Sequence, residues 1–359
     1  MCESLESAHL RQALTARAVT MHAYQRPYGS KAETVFCERY LAPLGALPDQ
    51  HGNWALTIGP EPIVAWSSHT DTAHCKQGTG RMRLDSGRYL AAQHSVLGAD
   101  DTVGVFLMLE MARRRVPGVY LWHAGEERGC VGSSALAASC PDWLSHVRMM
   151  IALDRHGTGD VITHQIGRET CSPAFARMLA DMLNTAPSLA YAPCPQGAYT
   201  DSEQYAHLIP ECTNLSVGYS REHSQAESVD LFHTFRLLDA LCDLDVSTLP
   251  IAREPVEDSW GSWGLWQGGW RDDMIFGHRL QDLARDYPIG VDLAPDVSSV
   301  CGYVLEDNVL CPDCHTILAL PSEHEDWLPV FAPAAFTDHY PWLDLDCDLC
   351  DQPLFEQDF

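Results

Sequence analysis

His69 and Asp71 lie two residues apart in SSHTDTAH, directly after the apolar run EPIVAWSS. On an extended strand, residues i and i+2 share a face, so both side chains can aim at one point. An imidazole placed there can ligate a metal through one ring nitrogen, while a carboxylate behind it fixes the orientation of the ligand. The pairing alone is weak. The chain holds 17 His, and a second His-x-Asp runs from His324 to Asp326 in a different setting.

Four further stretches put similar chemistry at the ends of apolar runs. LGADDTVGVF sets Asp100 and Asp101 in a Gly-Ala turn before a helical pattern, and YLWHAGEERG sets Glu126 and Glu127 after a strand-like run. MMIALDRHG closes on Asp154, and NLSVGYSREHSQAE places His223 four residues past Tyr219. Each piece has an ordinary reading: paired glutamates are usually solvated, and one acid at a strand end is often a helix cap. The conjunction within one segment is what carries weight. Two His and three carboxylates suit two Zn²⁺ ions with N/O ligands and open positions for water. Such ions lie about 3.5–4 Å apart and share a bridging ligand. One glutamate is then left beside a ligand glutamate, free to take a proton from water.

The elements that must position these residues alternate. Apolar runs at 62–68, 118–125, 147–154 and 213–219 read as buried strands. Helical patterns fall at 101–115, 172–184 and 227–244, the last with Ser228 as its expected N-cap. Alternation of this kind predicts an α/β fold, a three-layer α/β/α sandwich around a mixed, mostly parallel sheet. In open sheets of this kind, ligands bind beyond the carboxyl ends of the strands, where the residues above collect.

The order His-x-Asp, Gly-Ala-Asp-Asp, Glu-Glu, Asp, His resembles the co-catalytic zinc aminopeptidase family, which is related to cytosolic tripeptidases. DQHGNW, upstream of the first motif, resembles that family's Asp-x-x-Gly-Asn segment. The resemblance covers about residues 1–245. It implies that His69, Glu127, Asp154 and His223 are terminal zinc ligands, that Asp100 bridges, and that Glu126 is the general base. It also implies that Asp71 stands behind His69 and that the Asp100–Asp101 peptide is cis. Relatives with a lid and dimerisation domain insert about a hundred residues before the last histidine. Here Asp154 and His223 are 69 residues apart, which implies the single-domain branch. Arg155, Asp201 and Tyr219 are the expected substrate contacts: Arg155 for a carboxylate of a short peptide, Tyr219 for the developing oxyanion. His123 and His156 flank the ligands without a place in the pattern.

Beyond residue 250 the composition changes. Trp260, Trp263, Trp266 and Trp270 sit among Gly and Ser in a stretch read as a linker over 251–275, and 276–359 reads as a separate module. Cys311, Cys314, Cys347 and Cys350 form two Cys-x-x-Cys pairs, a strong signal for a structural zinc in a small zinc ribbon. The net charge of −26 is uneven: residues 251–359 hold 4 Lys+Arg against 22 Asp+Glu. Such a field disfavours nucleic acid and anionic membranes. A protein partner, a lid over the site or self-association is therefore expected for this module.

With no apolar run of membrane-spanning length and no signal-like start, the expected setting is cytoplasmic, where the 14 Cys are thiols or ligands. The expected activity is a di-zinc peptidase of aminopeptidase type. The alternatives are hydrolysis of another amide, such as an N-acyl amino acid, or a catalytically silent acidic binding protein.

Overall fold

The runs around Trp66, Tyr120 and Ile151 are apolar on successive residues, as strands buried on both faces must be. In the computed structural model they form the middle of an eight-stranded sheet. The structure describes residues 5–93, 95–139 and 144–255, with the backbone of three short antiparallel strands, Val300–Leu305, Asn308–Leu310 and Leu328–Phe331. The Trp-rich stretch and the four cysteines of the expected ribbon lie outside the described residues.

The sheet strands are β1 (Leu47–Pro48), β2 (Trp54–Ile58), β3 (Val64–His69), β4 (Gly118–His123), β5 (Met149–Arg155), β6 (Asp160–Ile162), β7 (Ala192–Cys194) and β8 (Glu211–Ser216). Their spatial order is β7-β6-β8-β5-β3-β4-β2-β1. The central four, β8, β5, β3 and β4, are mutually parallel. Beyond β4, strands β2 and β1 run antiparallel, and β6 pairs antiparallel with β8.

Helices cover both faces: α1 (Leu5–His22), α2 (Lys31–Tyr40), α3 (Ala99–Arg113), α4 (Val131–Ser139), α5 (Pro173–Leu183) and α6 (Leu231–Cys242). Alternation along each strand decides which face a side chain serves. Trp66, Tyr120 and Ile151 pack with α1, α2, α3, α5 and α6 in the larger core. Their neighbours Ala65, Leu121 and Met150 pack with α4 and the 3₁₀ turn at Asp201–Tyr205. This is the three-layer arrangement that the alternating pattern predicts.

Two local expectations change. The segment at 227–230 is not helical. Ser228–Asp230 extends a small antiparallel sheet, pairing with Tyr89–Ala92, which in turn pairs with Met82–Asp85. The N-cap of α6 is therefore Asp230, whose carboxylate accepts from the N–H of Phe232 and His233. The strand expected over 213–219 ends at Ser216, and Tyr219 begins a separate short strand.

Candidate active site

The parallel strands all end at one edge, and the polar residues that follow them meet there. β3 ends on His69, β5 carries Asp154 near its end, and β4 runs into the turn bearing Glu126 and Glu127. Asp100 stands at the start of α3 with non-helical backbone angles, and its peptide bond to Asp101 is cis. His223 comes from the loop after Tyr219, with a left-handed φ of 58°.

Asp100 lies at the middle of the cluster. Its Oδ1 is 3.0 Å from His69 Nε2 and its Oδ2 is 3.2 Å from His223 Nε2. On the first side, Asp154 Oδ1 is 3.6 Å from His69 Nε2. On the second, Glu127 Oε1 is 3.0 Å from His223 Nε2. Two ligand atoms each about 2.0–2.1 Å from a tetrahedral zinc stand roughly 3.3 Å apart, so both sets have the spacing of coordination shells. Glu126 Oε2 is farther from His69 Nε2, at 4.0 Å.

The hydrogen bonds test whether cations fit. His69 Nδ1 faces the Asp71 carbonyl at 3.0 Å. A carbonyl only accepts, so Nδ1 carries the hydrogen and Nε2 turns its lone pair toward Asp100 and Asp154. Lone pair against carboxylate is repulsive unless a proton or a metal cation lies between. Glu127 Oε1 is buried, and its approach to His223 is off the geometry of a hydrogen bond, so among the described residues no donor satisfies it. A donor set of imidazoles and carboxylates suits zinc.

Protonation follows the same logic. Burial disfavours the imidazolium of His69, but the neighbouring carboxylates of Asp100, Asp154 and Asp71 outweigh it and raise its pKa well above the usual value. Asp100 and Glu127 push His223 up to about 11. Burial, with repulsion from Asp100, raises Asp154 to about 6. Burial also raises Glu126, and Asp154, Asp201 and Asp100 add to that rise.

Asp71 does more than stand behind His69. Its Oδ1 is 3.5 Å from His69 Nδ1, farther than its own backbone carbonyl. The carboxylate instead accepts the backbone N–H groups of Gly125, Glu126 and Glu127 at 3.0–3.2 Å. It hangs the glutamate turn on the end of β3. Asp101 also has an oxygen within ligand range of His69 and Asp154. Both of its oxygens, however, accept backbone N–H groups, from His69 and Gly104, so it is a brace.

A cleft of about 290 Å³ opens over the cluster, lined in part by Arg155, His156, Tyr199, Tyr219 and Glu222. Arg155 Nε donates to Asp160 at 3.2 Å, and His156 pairs with Glu222 at 2.7 Å. Tyr219 donates its hydroxyl to the Asp154 carbonyl at 3.1 Å, so its side chain is already committed to a ligand residue. Asp201 differs from the expectation. It is not among the lining residues but lies buried behind them, bonded to Ser133 and 3.5 Å from His123. His123 is sealed in the interior against Tyr205. A larger groove of about 400 Å³ lies at α5 and α6, lined by residues such as Met182 and Arg236, and includes none of the cluster.

Sequence reasoning missed several supports. Thr200 donates to Asp154 Oδ2 at 2.6 Å, and Asn214 bonds the backbone of Asp154 on both sides. Glu227, buried, accepts the N–H groups of Leu97, Gly98 and Asp100 and so fixes the turn that presents Asp100. Only Asn214 left a trace, as a polar residue inside an apolar strand.

Residues 53–205 match the family described as Peptidase family M28. That span includes every cluster residue except His223. No curated protein matches the chain. Three solved structures illustrate the likeness of fold. Aminopeptidase PepT from Bacillus cereus ATCC 10987 is 14% identical with a TM-score of 0.52, over 65% of this chain and 97% of that one. A tripeptidase from Staphylococcus aureus subsp. aureus Mu50 gives 14% and 0.52 over the same shares. The TET1 peptidase of Pyrococcus horikoshii, which can assemble into a tetrahedron or a large octahedral shell, gives 14% and 0.51 over 63% and 98%.

Proposed function

We propose that the chain is a two-zinc aminopeptidase of short peptides, a reading supported by the match of residues 53–205 to Peptidase family M28. The observation that carries this reading is the Asp100 carboxylate, with one oxygen toward each imidazole. His69, Asp154 and Asp100 Oδ1 would hold one ion. His223, Glu127 and Asp100 Oδ2 would hold the other. When bound, the zinc pair supplies Lewis acidity, polarising the peptide carbonyl and acidifying water.

The chain's own residues do the rest. Glu126 lies outside both ligand sets but beside them, where its carboxylate accepts the proton of the attacking water and returns it to the leaving amine. Asp71 keeps Glu126 and Glu127 in register through their backbone N–H groups. Arg155, on the cleft wall, is assigned to the carboxylate of a short peptide.

Cys311, Cys314, Cys347 and Cys350 are assigned to a third, structural zinc, and the acidic module around them to a protein partner or to self-association. The assembly of the Pyrococcus horikoshii TET1 peptidase into a tetrahedron or a large octahedral shell supports the self-association reading. A cytoplasmic setting is supported by the seven free thiols among the described residues. No helix among the described residues is long and apolar enough to cross a membrane.

The test is purified protein on aminoacyl-arylamides, a dipeptide and tripeptide panel and N-acyl amino acids, with and without chelator, alongside elemental analysis. Cleavage of free-amine substrates with about three zinc ions per chain is expected. Hydrolysis confined to N-acyl substrates, or one zinc that survives His69→Ala and His223→Ala, would replace the reading.

A further inference from the structure

Arg26 is the one Arg or Lys side chain that is fully buried among the described residues, at 0% exposure. A sealed guanidinium is costly unless it is paired, so its presence asks for a reason. Its Nε donates to the Thr70 carbonyl at 2.6 Å, and its plane lies 3.8 Å over the Phe36 ring. Its backbone exchanges hydrogen bonds with Thr72, donating to Oγ1 at 3.2 Å and accepting from N at 3.0 Å. Among the described residues neither Nη meets an acceptor. All of its hydrogen bonds therefore go to the segment Thr70–Thr72.

That segment lies between the two kinds of support the cluster needs. His69 is a ligand residue, and Asp71 carries the glutamate turn. The Thr70 carbonyl between them is buried, and without the guanidinium it would lose its charge-assisted donor. Resting on the two-zinc reading, we propose that Arg26 is a positioning residue of the metal centre, its guanidinium fixing the His69–Asp71 turn through the Thr70 carbonyl.

The electrostatics agree. Burial pulls Arg26 down to about 10, still charged at neutral pH, while Cys37, then Glu33, Asp101 and Asp71 act in the opposite direction. A packing role alone would ask only for a long apolar chain on Phe36. A charge role asks for a cation.

The experiment compares Arg26→Lys, Arg26→Gln and Arg26→Met in the full chain. Zinc affinity is read by chelator competition, kcat and KM separately, and thermal stability in the same samples. Arg26→Gln and Arg26→Met should weaken zinc binding about 10- to 100-fold, the usual scale for residues behind the ligands. Arg26→Lys keeps the cation without the stacked, Nε-bonded guanidinium, so it should lose clearly less affinity than Arg26→Gln without reaching the parent. kcat should fall with zinc saturating while KM stays within about threefold, because no substrate contact is removed. If Arg26→Met fails to fold, the Lys and Gln pair decides the question. Equal affinity in those two, or loss of stability with zinc affinity and kcat unchanged, overturns the proposal. A parent protein that binds no zinc would instead overturn the two-zinc reading, so the two failures are distinguishable.

Discussion

The two proposed ligand sets have similar chemistry and opposite surroundings. His69 is fully buried at the end of a central strand, and Asp154 is bonded by Thr200, Tyr219 and Asn214. On the other side, the His223 side chain is 48% exposed, on a loop whose Arg221 and His223 both take left-handed φ. Glu127 there has a buried oxygen without a donor among the described residues. Loops with few buried contacts open at low free-energy cost, and sheet interiors do not. The His69 and Asp154 side chains are therefore held more firmly by the fold than His223 is.

Removing the proposed base should be the largest single effect, since it leaves both sets intact. Glu126→Gln should lower kcat at least ~10²-fold with both metals and thermal stability retained. Glu127→Gln should weaken metal binding instead. Reversed phenotypes would shift the motif by one residue.

The comparison itself is tested by unequal loss of metal. His69→Ala should cost more zinc affinity than any support residue does, beyond roughly 100-fold, and lower stability as well. His223→Ala should release one ion and leave the first in place with little change in thermal stability. With chelator limiting, the parent should give up one ion early and the other late. Simultaneous release would mean that the two positions are not distinct.

A smaller effect, about tenfold in zinc affinity and confined to the slowly released ion, is expected for Thr200→Val. The smallest signal is protonic. His69 lies well above its usual value and His223 at about 11, both raised by partners in the metal-free protein. The ion-pair stabilisation of the metal-free fold is therefore complete below the unfolded value near pH 6.5 and is lost as pH rises through the folded values. Zinc binding to the two imidazoles should therefore release protons. Calorimetry in buffers of different ionisation heat should count them. Binding that releases none would show that the imidazoles are not the ligands.

How much could be read in advance differs from residue to residue. Trp66, Tyr120 and Ile151 announced buried strands because continuous apolar runs fit no other position in a soluble α/β sheet. β6, β7 and the strand at 228–230 stayed hidden, being three residues each and partly exposed. Their pairing comes from neighbours distant in the chain, which no local pattern encodes. Ser228 looked like a cap because caps are judged from nearby sequence, and a strand pairing with Tyr89–Ala92 moved the helix start to Asp230.

The cluster divides in the same way. By itself the sequence determined which side chains could ligate or transfer protons, because that depends on residue type and on the strand ends that carry them. Tertiary structure alone decided that Asp100 faces both imidazoles, that Asp71 holds a turn more than fifty residues away, and that Asp201 lies behind the cleft. It also placed Arg26, Thr200 and Glu227 as supports. The physical reason is that a ligand can be named from its own chemistry, whereas a support acts through the particular backbone groups that folding brings within hydrogen-bond reach.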